Sequence, residues 1–309
     1  MTVAFINMCH ADPAIVARSA RKLTRHDRFD MYVHVDQKTD MEPFAEALTK
    51  IPRVYFANKR HRVYWGGFNY IAANVAMLKQ ALESPRGYDY FVILQNLDYP
   101  TRSNDEIYNF FEINSGVEFI RGCRIARTKD WHYARKYKIF NRRDDDFYLI
   151  KHSRPRMYLR YIHMLALSAG TFFFDGVIRE NGREFKMHYG AAQWAITREL
   201  AKYIVEFYDT HPKFNKIMEH VQSPDEAYFH TIVHNSIFKK KCVKYDEPVK
   251  RWLVNWRNLH YFDYPKEVTV MTEDDYDRIM SDGALFVRKV RTGVSDGLLD
   301  MIDSATRSH

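Results

Sequence analysis

The first third of the chain alternates short apolar runs with stretches whose apolar residues recur at helical spacing. The apolar runs predict strands at residues 2–9, 31–35, 54–56 and 90–94. The helical spacing predicts helices at residues 13–23, 41–49 and 69–82. Because strands that alternate with helices form a parallel sheet, we expect an α/β fold, a Rossmann-like mixed sheet flanked by helices.

The later part of the chain has a weaker periodicity. Its patterns predict a helix after Ser103, strands at 117–120 and 189–196, helices at 197–208 and 274–280, and an apolar element at 284–290. Residues 121–160 are highly charged and predict a long loop with short helices, of the kind that carries substrate contacts. Since no repeat or linker interrupts the chain, we predict one domain over 1–309, with a nucleotide-binding half at 1–120 and an acceptor and catalytic half at 121–309.

Composition indicates a globular protein with an anionic partner. The 309 residues are 46% hydrophobic and 15% aromatic, and the formal net charge is +8. A nucleotide, a nucleic acid or an acidic membrane surface would suit this charge, and a merely solvated basic face would explain it equally well. The longest basic run, Lys239 to Lys241, is too short for a nucleic-acid-binding tail, so we expect no nucleic acid as partner.

The cysteines favour a reducing compartment. Cys9, Cys123 and Cys242 are odd in number and far apart, without the spacing of a disulfide framework or a zinc site. The first predicted strand leaves no room for a signal peptide, and no apolar stretch reaches the roughly 20 residues of a membrane span. We therefore expect a cytoplasmic protein.

Ser223, Pro224, Asp225 and Glu226 precede an apolar and aromatic run, a pattern that predicts a helix start. Serine with glutamate three residues later is typical of a capping box, in which both side chains bind backbone N–H groups. Alternatively, the helix dipole would keep Glu226 ionised as a general base for a substrate hydroxyl. These four residues leave both interpretations open.

Charged residues also occur where ligands bind in parallel sheets, beyond the carboxyl ends of strands. Asp36 and Lys38 follow one predicted strand, and Asp98 follows another. Asp144 and Asp146 have the Asp-x-Asp spacing of a site for a hard cation. Because they stand in a run of opposite charges within a predicted loop, a solvent-facing role is the alternative.

A series of short motifs in fixed order gives the chain a family resemblance. The motifs are His10 and Pro13; His34, Val35, Asp36 and Lys38; Trp65, Gly66 and Gly67; Asp98, Tyr99 and Pro100; Gly190, Gln193 and Trp194; Pro224, Asp225 and Glu226; and Phe286, Arg288 and Lys289. Together they resemble the core-2/I-branching N-acetylglucosaminyltransferases and peptide O-xylosyltransferases, glycosyltransferase family 14, in a compact bacterial-type version. Each motif is weak alone, and the ordered set is fairly specific.

The resemblance implies a glycosyltransferase-A fold that transfers a sugar with inversion from a UDP-sugar, of the UDP-GlcNAc or UDP-xylose type, without a bound metal or other cofactor. It implies that Glu226 is the general base and that Lys289 binds the diphosphate. The implied donor-binding residues are His10, Val35, Asp36, Lys38, Asp98, Lys266, Arg288 and Lys289, with Lys266 and Arg288 as alternatives for the second phosphate-binding cation. The implied or positional acceptor-binding candidates are Trp65, Arg135, Lys136, Gln193, Trp194, Asp225, Trp256 and Tyr261.

The expected function is therefore transfer to a hydroxyl of a glycan or lipid-linked oligosaccharide in polysaccharide assembly, with peripheral contact to the inner face of the membrane. Two alternatives stay open. One is a metal-dependent transferase that uses Asp144 and Asp146. The other is a basic and aromatic module that binds glycans or nucleic acid without chemistry.

Overall fold

A five-stranded sheet forms the centre of the fold in the computed structural model, which describes residues 1–141, 144, 154–243, 257–263 and 269–307. In spatial order its strands are β10 (Ala195–Thr197), β4 (Tyr90–Gln95), β1 (Val3–Cys9), β2 (Phe29–Val35) and β3 (Val54–Phe56). Strands β1 to β4 are parallel, and β10 pairs antiparallel with β4. This parallel-dominated mixed sheet confirms the predicted α/β class.

Helices cover both faces of the sheet. They are α1 (Pro13–Leu23), α2 (Glu42–Leu48), α3 (Asn69–Leu82), α4 (Asn104–Ile113), α7 (Arg198–Thr210), α8 (Pro212–Met218) and α9 (Tyr228–His234). Alternate residues of β1 enter two cores: Val3 and Phe5 pack with residues of α1, α2 and α4, whereas Ala4 and Ile6 pack with residues of α3, α7 and α9. The period of two along a strand thus produces a sheet with a buried core on each side.

A smaller sheet holds the C-terminal part of the chain against the carboxyl ends of the central strands. It consists of β5 (Asp98–Pro100), β12 (Phe286–Arg288) and β11 (His260–Tyr261). Residues of α10 (Tyr276–Asp282) and α11 (Asp296–Ala305) form a third apolar core with this sheet. The antiparallel register of β5 and β12 places Arg288 directly opposite Asp98.

The middle of the chain departs furthest from the sequence predictions. It contains β6 (Cys123–Arg124), α5 (Trp131–Lys138), α6 (Arg154–Thr171), the hairpin of β7 (Val177–Glu180) and β8 (Arg183–Lys186), and β9 (His188–Tyr189). The 18-residue helix α6 and the hairpin were not predicted. The segment predicted as a strand at 117–120 does not form a continuous strand. Glu118 bridges to Cys242, and Phe119 joins the central sheet by a single bridge to Ala195 of β10. Within the described ranges, no helix combines the length and the apolar character that crossing a membrane requires.

Candidate active site

Glu226 lies at the end of a short 3-10 helix, Pro224–Glu226, which leads into α9. The predicted capping box is wrong: Ser223 has φ 54°, a left-handed conformation, and its side chain makes no cap hydrogen bond. An N-cap residue is normally extended, which is what directs its side chain back to the first turn. The Glu226 backbone is held instead, because its carbonyl accepts a hydrogen bond from Gly190 N at 2.8 Å. The carboxylate is thus available for other contacts.

Two side chains from other elements hold the Glu226 carboxylate. The Tyr189 hydroxyl, on β9, donates a hydrogen bond to Glu226 Oε2. Lys136 Nζ, on α5, lies 4.0 Å from the same oxygen and donates to Tyr189 Oη at 2.8 Å. Lys136 is buried, whereas the Glu226 side chain keeps 24% of its surface exposed. The carboxylate is therefore fixed in direction and still accessible to a ligand.

Burial and mutual repulsion favour protonation of the two neighbouring carboxyls. Partial burial raises the pKa of Glu226, while Lys136 and Tyr189 act in the opposite direction. Burial and the charge of Glu226 raise the pKa of Asp225 to about 7. Burial also lowers the pKa of the Lys136 ammonium, against the attraction of Glu226. A carboxylate with a raised pKa is the better proton acceptor when ionised, as a general base requires.

The predicted nucleotide side of the site lies at the carboxyl ends of β1, β2 and β4, as expected. Asn96 Oδ1 accepts hydrogen bonds from His10 N at 2.7 Å and Ala11 N at 2.8 Å. Asp36 N donates to Cys9 O at 2.8 Å. The residues that follow three adjacent strands are therefore joined side by side.

The predicted donor residues of β2 are held by the loop that precedes α3. Lys38 Nζ lies 2.5 Å from Asp36 Oδ2, 4.4 Å from the centre of the Tyr64 ring, and donates to the Val63 carbonyl. Val35 is buried, and its carbonyl accepts a hydrogen bond from an arginine side chain of the same loop. Lys38 thus stands at the ligand edge with its charge partly compensated by Asp36.

Asp98 is fully buried and contacts three donors. Arg288 Nη1 lies 2.7 Å from Asp98 Oδ1, while His260 Nε2, at 3.1 Å, and Gln95 N, at 2.7 Å, contact Oδ2. Burial opposes ionisation of Asp98, but Arg288 and His260 outweigh it and lower the pKa of the carboxyl. Asp98 was predicted to bind the donor. Because Asp98 is fully buried, we assign it instead as a positioning residue that fixes the Arg288 guanidinium.

Three cations lie within electrostatic range of His10. Partial desolvation lowers the pKa of His10, Asp36 opposes this change, and the charges of Arg288, Lys38 and Lys289 lower the pKa further. Arg288 ends β12 and the other side chains follow the ends of β1, β2 and β12, so the small C-terminal sheet brings Arg288 and Lys289 to the edge of the central sheet. Such a cluster of fixed cations suits a diphosphate.

Tyr70 lies next to the residues that hold the Arg288 guanidinium. Gln95 Nε2 donates to Tyr70 Oη at 2.9 Å, while Gln95 N holds Asp98 as described above. Burial and the charge of Asp225 raise the pKa of Tyr70, and Arg288 partly offsets this increase. Tyr70 is therefore within electrostatic reach of both groups. The candidate site thus contains two carboxyl groups with raised pKa values, Asp225 and Glu226, and a group of cations that includes Arg288.

Sequence reasoning missed Tyr70, Gln95 and Tyr189. Gln95 ends a strand at the ligand edge, and this position could have indicated it. Tyr70 and Tyr189 carry no local signal, because their contacts with the site are made across the fold.

The acceptor candidates do not all reach the site. Besides Lys136 and Asp225, already placed, Trp65 is 77% exposed in the loop before α3, and Arg135 is exposed on α5. Gln193 is buried, and its backbone carbonyl accepts a hydrogen bond from Asn258 Nδ2 at 2.7 Å.

Two aromatic acceptor candidates are core residues, which corrects their prediction. Trp194 is 1% exposed and packs on Phe229, with ring centroids 4.8 Å apart. Tyr261 is buried in the C-terminal core, with the Arg257 guanidinium 4.4 Å from its ring centre. Neither ring offers a face to a sugar. The predicted residues Lys266, Trp256 and Asp146 lie outside the described residues.

Asp144 has a structural contact at the start of α3. Its Oδ2 accepts a hydrogen bond from Asn69 N at 2.9 Å, and an added Cβ at Gly67 would lie 2.2 Å from Oδ1. The absence of a side chain at Gly67 thus lets Asp144 approach the helix. Among the described residues, no group of three His, Cys, Asp or Glu side chains is arranged to hold a metal ion.

Comparison with known proteins identifies the family. The sequence profile of the Core-2/I-branching enzyme family matches residues 3–280. The chain therefore belongs to the Core-2/I-branching enzyme family, which confirms the resemblance found in its ordered motifs.

Similar proteins include several named xylosyltransferases. The chain is 21% identical to Homo sapiens xylosyltransferase 2 over 322 residues, which cover 97% of this chain and 33% of that protein. It is 24% identical to Drosophila melanogaster xylosyltransferase oxt over 236 residues, 73% of this chain and 23% of that protein. It is 19% identical to Rattus norvegicus xylosyltransferase 1 over 321 residues, 98% of this chain and 35% of that protein. The chain thus spans about a third or less of the length of these relatives.

Proposed function

We propose that this chain is an inverting glycosyltransferase that moves a sugar from a UDP-sugar to a hydroxyl of a glycan or lipid-linked glycan. The observation that carries the proposal is the Glu226 carboxylate, which Tyr189 and Lys136 orient while part of its surface stays exposed to a ligand. The family match and the names of the relatives support sugar transfer. UDP-xylose and UDP-GlcNAc are the proposed donor types.

In the proposed reaction, Glu226 accepts the proton of the acceptor hydroxyl while that oxygen attacks the anomeric carbon. The bond from this carbon to the diphosphate oxygen breaks on the opposite face, which inverts the configuration. An oxocarbenium-like transition state of this kind needs one carboxylate on the attacking side. It also needs stabilisation of the departing negative charge, and preorganised donors supply this effectively.

The leaving UDP is stabilised by fixed cations in this proposal. Arg288, Lys289 and Lys38 are the side chains concerned, and all three act on His10 in the folded chain. Asp98 holds the guanidinium of Arg288 in place before UDP binds. The proposed enzyme therefore needs no divalent ion at the diphosphate. A cytoplasmic location, where UDP-sugars are made available to polysaccharide assembly, completes the proposal.

The test begins with a panel of UDP-sugars, screened by thermal stabilisation and slow UDP release to identify the donor. Glu226→Gln should then lower turnover by about 100-fold or more, the usual contribution of a general base. Its affinity for UDP should stay unchanged, because Glu226 lies on the acceptor side. Glu206→Gln, the same substitution at an exposed position of α7, is the matched control.

Three results would contradict the proposal. These are full turnover by Glu226→Gln, a loss of turnover that merely follows a loss of UDP affinity, or a wild-type chain without turnover of any UDP-sugar. The last result would favour the binding-module alternative. Loss of wild-type activity in excess chelator would instead favour the metal-dependent alternative with Asp144 and Asp146.

A further inference from the structure

Helix α6 presents an apolar face to solvent. Among the α6 side chains that the structure describes, the exposed large apolar ones are those of Tyr158, Leu159, Ile162 and Leu165, and Phe172 and Phe173 directly follow the helix. Leu165 is 70% exposed and Phe173 is 88% exposed. Single exposed apolar residues are normal on protein surfaces, whereas a contiguous group marks an interaction surface.

The exposed residues of α6 form one continuous stripe. Tyr158, Ile162, Leu165 and Ala169 follow each other at spacings of four, three and four residues, which aligns them along one side of the helix. Leu159 lies in the adjacent row, one residue from Tyr158. Met164, Leu167 and Ser168 are less exposed. Ser168 Oγ accepts a hydrogen bond from Phe140 N at 3.0 Å, so this residue contacts the rest of the protein.

Basic residues accompany this apolar surface. The sequence of α6 contains no aspartate or glutamate. At the end of the neighbouring helix α5, Lys138 Nζ lies 5.3 Å from the centre of the Phe172 ring. Lys129, just before α5, and Arg135, within it, are exposed and form no ion pair with any part of the chain that the structure describes. The surface thus combines apolar side chains with nearby positive charge.

We propose that the α6 surface, defined as the exposed stripe of α6 with Phe172 and Phe173, docks on an anionic lipid bilayer. Apolar side chains of an interfacial helix enter the acyl boundary, while nearby lysines and arginines contact anionic headgroups. A second copy of the chain would cover the apolar stripe too, but it would bring the same cations together. Anionic lipid neutralises them, so charge complementarity favours the bilayer.

Helix α5 connects this surface to the candidate active site. Its buried side places Lys136 on Tyr189 and next to Glu226, while its end contacts α6 through the Thr171 hydroxyl, which donates to Lys138 O at 2.6 Å. Since a helix is about 10 Å across, docking through α6 would bring the Glu226 pocket close to the headgroup layer. A lipid-linked acceptor hydroxyl would then be within reach of the site. The docking of the α6 surface on the bilayer does not itself depend on the proposed reaction.

The test is co-sedimentation of the full chain with vesicles of phosphatidylcholine, with or without phosphatidylglycerol. We expect binding to the anionic vesicles, weakened by salt. The double variant Ile162→Glu and Leu165→Glu should lower the partition coefficient at least about tenfold, because it places two charges in the apolar layer. Ile113→Glu and Ile237→Glu are matched controls, since these isoleucines lie on other elements, are 83% and 82% exposed, and should change binding by about twofold at most.

Thermal melting establishes that the double variant is folded, and this measurement does not require the proposed sugar transfer to be correct. Equal binding by the double variant and the wild type would overturn the docking surface. Absence of binding to anionic vesicles by the wild type would do the same. A wild-type dimer in sedimentation analysis that the double variant dissociates would assign the stripe to a second copy of the chain and so refute the proposal.

Discussion

Lys136→Met tests whether the lysine beside Glu226 keeps the base ionised. Methionine fills a similar volume in the buried position and removes the charge. Two unit charges at the observed separation of 4.0 Å attract each other by about 1 kcal/mol at the dielectric constant of water and about 4 kcal/mol at an effective value of 20. Since the lysine is buried and the carboxylate is partly exposed, the attraction lies between these limits.

Loss of this attraction raises the pKa of Glu226 further, because Lys136 is the main influence that lowers it. The acidic limb of the profile of kcat/KM against pH should therefore move to higher pH. At pH values on the acidic limb of both profiles, kcat/KM should be at least about fivefold lower than in the wild type. This factor corresponds to the smaller of the two attraction energies, about 1 kcal/mol. On the plateau at higher pH, where Glu226 is ionised in both proteins, the difference should largely disappear.

The assay is UDP release from the identified donor across a pH series, with Lys138→Met on the same helix as the control. An acidic limb that stays in place, or that moves to lower pH, would refute the role of Lys136. An equal shift of the acidic limb in Lys136→Met and Lys138→Met would show a general effect of net charge instead. Melting curves for each variant separate these outcomes from a loss of folded protein.

Three further substitutions test the cations and the close packing around the site. Lys289→Ala should weaken UDP binding about tenfold or more in calorimetry, as expected for a charged contact, and unchanged affinity would contradict its phosphate role. Asp98→Asn leaves Arg288 without its buried countercharge and should lower the free energy of unfolding by about 3 kcal/mol in urea titrations. Because the folded state lowers the pKa of Asp98, its stabilisation is present above the unfolded pKa and is lost as pH falls through the folded pKa. The deficit should therefore shrink in acid, and a constant deficit would argue against the ion pair. Gly190→Ala would place a Cβ 2.1 Å from the Arg121 carbonyl oxygen, so we expect a lower Tm, and an unchanged Tm would mean that the backbone moves at little cost.

The central sheet was predictable because its signals are local. Each parallel strand of β1 to β4 is an apolar run, and α1 and α3 show regular helical spacing, with bounds that the structure reproduces. Helix α6 was missed for a physical reason. Its solvent side carries apolar residues such as Ile162 and Leu165, so the alternation of apolar and polar sides that reveals a surface helix is lost.

The candidate site was predictable only in part. Resemblance to the family indicated Glu226, but the residues that orient it are distant in sequence: Tyr189 precedes it by 37 positions, and Lys136 precedes Tyr189 by 53. The left-handed conformation of Ser223 has no sequence signal, because serine is common at ordinary N-caps. Trp194 illustrates the opposite error, in which an aromatic residue suited to stacking on a sugar is used to fill the core.

The residues of the candidate site come from both of the halves into which the sequence analysis divided the chain. Lys38 and Asp98 belong to residues 1–120, whereas Arg288 ends β12 in the small sheet and Lys289 directly follows it. The pairing of β5 with β12 brings Asp98 onto Arg288 across 190 positions, and this contact fixes a cation at the edge where β1, β2 and β4 end. In the proposed mechanism, the diphosphate is therefore bound by both parts of the chain together. Capture of UDP would then depend on the C-terminal sheet as much as on the nucleotide-binding half.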